Sequence, residues 1–67
     1  MMFALFVQRP QRDEFIYWAN DETMEGLLAK YKKLLEQRDD FQERTGEPSM
    51  WAHLDQNTFK IIKILYD

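Results

Sequence analysis

The sequence predicts an α+β fold, an antiparallel sheet with one long amphipathic helix laid across one face. Two observations carry this prediction. Apolar residues recur at helical spacing through the middle of the chain, at Met24, Leu27, Leu28, Tyr31, Leu34, Leu35 and Phe41. On either side lie short runs rich in β-branched and aromatic residues. At 67 residues the chain has room for one domain, 1–67.

Residues 2–8 read as a strand, because Phe3 to Val7 form a short apolar run that stops at the polar segment Arg9 to Glu14. Phe15-Ile16-Tyr17-Trp18 has high β propensity and closes a hairpin with it. Asn20-Asp21 then supplies capping side chains, and Asp21, Glu22 and Glu25 suit the positive end of a helix dipole. The spacing predicts a helix over 21–44. Arg44 falls in its last turn, Gly46 at the left-handed position after it, and Pro48 blocks continuation. Residues 49–54 admit two structures, a short strand or one helical turn capped by Ser49. Asp55-Gln56-Asn57 is a turn signal, and 58–66 is a strand. A strand at 49–54 gives ββαββ, the favoured order, and its absence gives ββαβ.

One helix covers one face of a sheet, yet these strands carry apolar side chains at both parities. Phe3, Leu5, Val7, Ile16, Trp18, Ile62 and Ile64 are assigned to the helix-packed face. Ala4, Phe6, Phe15, Tyr17, Phe59, Ile61 and Leu65 remain for the other. An uncovered apolar face of that size marks an association surface. Self-association as a homodimer through Phe6, Phe15, Tyr17, Phe59 and Ile61 is therefore expected, with Lys63 reaching the rim. The alternative is that 45–57, with Met50, Trp51 and Leu54, folds back over that face.

The composition excludes much chemistry. There is no cysteine, one histidine and one serine, and the only glycines are Gly26 and Gly46. Disulfides and thiolate metal sites are thus ruled out, and no phosphate-cradling loop is present. His53 reads as an ordinary turn or strand histidine rather than a general base. No enzyme, metal site or cofactor is expected. The opening apolar run has no basic residues before it and no small-residue cleavage motif, so the cytoplasm is the expected location and no membrane span is predicted.

The charge is −3, and it is concentrated in 21–47, where eight acidic residues face five basic ones. On a helical wheel Glu36, Asp39, Asp40 and Glu43 cluster opposite the apolar stripe, with like charges three and four residues apart. They also crowd the negative end of the helix dipole. A helix selected for stability alone places its charges otherwise. These four residues are the candidate partner-binding site, an acidic face that docks on another protein with a basic surface or imitates nucleic-acid phosphate. The competing explanation is a solvated helix face. Arg38 falls inside the apolar stripe, which suits a packed stem with its guanidinium reaching the sheet edge. A single-stranded nucleic-acid platform, with Phe6, Phe15 and Tyr17 stacking bases, is the alternative function. Only Lys60, Lys63, Arg9 and Arg12 lie near the sheet to support it.

In overall plan, over Phe3 to Trp18, Asn20 to Leu35 and Phe59 to Tyr66, the chain resembles small accessory proteins of bacteriophages and mobile elements. That resemblance implies a non-enzymatic module that binds and modulates, or inhibits, a host macromolecule.

Overall fold

The computed structural model describes residues 1–64. Its elements run β1 (Met2–Gln8), β2 (Phe15–Asp21), α1 (Met24–Thr45) and β3 (Phe59–Ile64). The sheet has order β2-β1-β3, and both neighbours of β1 are antiparallel to it. The order is thus ββαβ, not the favoured ββαββ. Leu65 and Tyr66, expected to extend the last strand, lie outside the described residues.

The β1–β2 turn closes with the Arg9 amide donating to the Glu14 carbonyl (3.0 Å), and Arg9 and Glu14 also form a 2.7 Å ion pair. Gln11 adopts φ 60° within it, a left-handed conformation that a side chain bearing a Cβ disfavours. Further along the hairpin the register slips. Leu5 faces Ala19 but Phe6 faces Tyr17, so Trp18 is the extra residue of a β-bulge. Ile16 and Ala19, three apart, would lie on opposite faces of a regular strand. The bulge lets both pack against the core.

The helix starts three residues later than its spacing predicts, because Asp21 ends β2 and Thr23 is the cap. The Thr23 side chain accepts from the Gly26 amide at 3.0 Å. Asp21 instead braces that cap. It accepts from the Thr23 amide at 3.0 Å and pairs with Lys30 at 3.4 Å. The Thr23 amide holds the Asp21 carboxyl below its ordinary value; partial desolvation opposes this, and the Lys30 ammonium adds to it. A Cβ at Gly26 would run into the Asp21 carboxylate as it is placed here, so a larger residue would require that side chain to move. At the far end Gly46 takes φ 72°, and its amide donates to the Gln42 carbonyl, the stop that the sequence predicts.

The core forms between α1 and one sheet face. Leu5, Val7 and Leu27 are fully buried, and Tyr31, Leu34 and Leu54 complete the cluster. Full burial of one such aliphatic side chain is worth about 1.5–3 kcal/mol. The helix presents a narrow stripe, Leu27-Tyr31-Leu34-Arg38-Phe41, while Met24 and Leu28 stay exposed on its flank.

Residues 49–54 form a capped turn rather than a strand. The Ser49 hydroxyl accepts from the Trp51 amide (3.1 Å), and the Leu54 amide donates to the Trp51 carbonyl (3.1 Å). The three-residue step sends Trp51 and Leu54 to the same core, which the two-residue period of a strand would not do. Three long-range bonds latch this segment down. Arg38 Nη1 donates to the Leu54 carbonyl (2.6 Å), the Tyr31 hydroxyl to the Asp55 carbonyl (2.6 Å), and His53 Nε2 to the Gln8 carbonyl (2.8 Å). Burial raises the Tyr31 phenol above its ordinary value, against the Thr58 hydrogen bond. Among the described residues no helix is long and apolar enough to cross a membrane.

Candidate functional site

Two exposed surfaces correspond to the predicted sites, the sheet face away from α1 and the outer face of α1. The register with β1 decides which strand residues belong to the first. Val7 pairs with Phe59 and Leu5 with Ile61, so Phe59 and Ile61 share the covered face with them and pack against the core. Phe59 also lies 4.5 Å from Tyr31, ring centre to ring centre. This corrects the sequence assignment of β3. Phe59 and Ile61 are core residues, and Ile62 and Ile64 belong to the open face. Lys60 replaces Lys63 as the cation there, since Lys63 pairs with Phe3 on the covered side.

Phe6, Phe15 and Tyr17 do lie together on the open face. Phe6 and Tyr17, directly opposite each other, meet edge to face at 6.0 Å. The Tyr17 hydroxyl accepts from Asn20 Nδ2 at 2.6 Å. Lys60 reaches from β3 across β1 and sets its Nζ 4.3 Å above the Phe15 ring centre, a cation–π contact that occupies the end of the face near the hairpin turn. Tyr17 and Ile62 remain about half exposed, at 53% and 48%, and Ala4 fills the middle of the face almost fully buried beneath its larger neighbours. The 45–57 segment does not cover this face, because Trp51 and Leu54 pack on the helix side. Among the described residues nothing lies over the open face.

On α1, Glu36, Asp39, Asp40 and Glu43 are all exposed, as their wheel positions predict. Two of them have basic partners within the chain. Asp39 accepts from Arg38 Nε (2.9 Å) and Nη2 (2.8 Å), and Asp40 lies 3.5 Å from Arg44. Arg38 is mostly buried, and its guanidinium goes to a turn carbonyl and to its own neighbour rather than to the sheet edge. Its stem lies in the core stripe while its guanidinium bridges Asp39 and the Leu54 carbonyl.

Candidate chemical groups are otherwise engaged. His53 points a ring nitrogen at a strand carbonyl, and the Ser49 hydroxyl caps a turn. Among the described residues no three His, Asp or Glu side chains are placed to hold a metal ion. Comparison with protein-family models, with curated proteins and with solved structures finds no match to this chain.

Proposed function

We propose that this chain is a non-enzymatic protein-binding module whose working surface is the open sheet face, and that a second copy of itself is a partner. The observation that carries the reading is the cluster of Phe6, Tyr17, Ile62 and Ile64 on a face with no cover among the described residues. Three strands about 4.8 Å apart and about 22 Å long offer a footprint on the order of 300 Å². Allowing for side-chain relief and counting both copies, the dimer buries on the order of 1,000 Å², the lower end of specific interfaces. A two-fold axis makes one patch its own complement. Lys60, over the Phe15 ring at the hairpin end of the face, must keep its ammonium at the wet rim of such a dimer, because a cation–π contact does not replace the hydration of a buried charge.

Light scattering during size exclusion tests this. The mass should rise from 8.2 kDa toward twice that value as loading concentration increases. Phe6→Glu and Tyr17→Glu should hold it at the monomer value. A monomer mass at every concentration sinks the proposal.

A second reading is a modulator of another protein, as in phage-type accessory proteins, acting through the acidic helix face. Exposure of all four carboxylates favours it; the arginine pairs at Asp39 and Asp40 weigh against it. Equal partner recovery by the wild type and by the Gln/Asn variant at these four positions would remove it. A nucleic-acid platform has less support, since Lys60 is bound over Phe15, Arg9 is paired with Glu14, and Lys63 lies on the covered side.

A further inference from the structure

A groove of about 430 Å³ runs beside α1 on the side opposite the open sheet face, lined chiefly by Trp18, Leu34, Phe41, Met50 and Trp51. Its floor is an aromatic pair, Trp18 and Trp51, edge to face at 5.2 Å. The bulge turns Trp18 toward it, and the Ser49-capped turn delivers Trp51. Met50 stands at its edge 67% exposed.

Toward the start of α1 the groove continues into a second hollow of about 280 Å³, which shares Trp18, Leu34 and Gln37 and adds Lys30 and Lys33. The two ends differ in charge. Arg38, which lines the apolar end, is paired with Asp39 and bonded to the Leu54 carbonyl. At the other end Lys30 is engaged with Asp21 and the Asn20 carbonyl, while Lys33 is exposed and has no ion pair among the described residues.

We propose that this groove binds a small anionic amphiphile, a medium-chain fatty carboxylate. Its alkyl chain lies over Trp18, Trp51, Phe41 and Met50, and its carboxylate sits at Lys33. The volume falls within the range of small-molecule sites, which are mostly apolar with a few placed polar groups. Lys33 and Phe41 are eight residues apart, about 12 Å along the helix axis, which suits an extended medium chain. Charge complementarity at one end only fixes the orientation of the ligand.

The two tryptophans of the chain both line the groove, so their emission reports on it and not on the sheet face. The full chain is titrated with decanoate, and separately with decyltrimethylammonium, which has an equal chain length and the opposite charge, both below micelle formation. Decanoate should shift tryptophan emission saturably and bind at least about fivefold tighter than the cation, the scale of one exposed ion pair. Lys33→Glu should abolish that preference. Met50→Glu should weaken both ligands, and Tyr17→Glu should change neither. Absence of a saturable shift, equal binding of both head groups, or an unaltered preference in Lys33→Glu overturns the proposal. So does an emission shift that follows protein concentration with no ligand present, which would make a second copy the occupant.

Discussion

The two faces of the sheet are built from similar side chains and have opposite fates. On the covered face Leu5 and Val7 are fully buried beneath Leu27, Tyr31 and Leu34, and Phe59 and Ile61 pack beside them. On the open face Phe6, Phe15, Tyr17, Ile62 and Ile64 alternate along the same strands with Ala4, Asn20 and Lys60 among them and no second layer over them among the described residues. The difference lies in what the rest of the chain does. Both α1 and the 48–58 segment go to one side, held there by hydrogen bonds from Arg38, Tyr31 and His53. Hydrophobicity alone does not choose a face; the connections do.

The largest expected effect separates the faces directly. Leu5→Ala should cost about 2–5 kcal/mol by cavity formation. A domain of this length has roughly 3–10 kcal/mol in total, so that variant should lose about half of its stability. Ile62→Ala, on an exposed face, should cost less than about 1 kcal/mol in dilute solution. Urea denaturation at two protein concentrations sharpens the contrast. If a second copy covers the open face, the cost of Ile62→Ala grows with concentration and the wild type gains stability by mass action. Equal costs at the two positions in dilute solution would mean that the faces are not energetically distinct.

An intermediate effect comes from loosening the latch. Arg38→Met keeps much of the stem packing but leaves the buried Leu54 carbonyl without its charged donor. A hydrogen bond to a charged group is worth about 1.5–3 kcal/mol, and the loss here should fall in that range. It should also be local. Amide exchange at Ala52 and Leu54, whose bonds lie within the capped turn, should quicken more than exchange in β1. Uniform acceleration through β1 would show instead that the covering segment and the sheet open as one unit.

Much of this arrangement is legible in the sequence. The helix stripe, the Gly46 stop and the hairpin are where spacing and turn chemistry put them. The face of β3 is not legible, because Phe-Lys-Ile-Ile-Lys-Ile presents two apolar side chains and one lysine at either parity. Pairing with β1 selects the face, aided by the Gln8 amide's bond to the Thr58 carbonyl, and that long-range fact leaves no local signal. The 49–54 segment is a nearer miss, since Ser49 is a capping residue and Trp51 and Leu54 stand at helical spacing. The sequence places Asp21 inside the helix because carboxylates favour the first helical turn as well as positions just before it. Its actual role, accepting from the amide of the true cap, uses the same chemistry two residues earlier. The groove rests on the Trp18 bulge, and no residue pattern in β2 announces it.

The smallest expected effect concerns the rim of the covered face, where Asp21 pairs in register with Phe3 and braces the start of α1. Its carboxyl titrates below its ordinary 3.8 in the folded chain, chiefly because the Thr23 amide donates to the charged form. A carboxyl whose pKa is lower folded than unfolded stabilises the fold fully above its unfolded value. That contribution is lost as pH falls through the folded value, because both states are then protonated. The stability gap between wild type and Asp21→Asn should therefore be largest above about pH 4 and should narrow in more acid solution. Taking the difference cancels the other carboxylates, which both proteins share. Urea midpoints at pH 6, 4 and 3 measure it. A gap that stays constant over that range would mean that Asp21 acts through its shape and hydrogen-bond geometry rather than its charge.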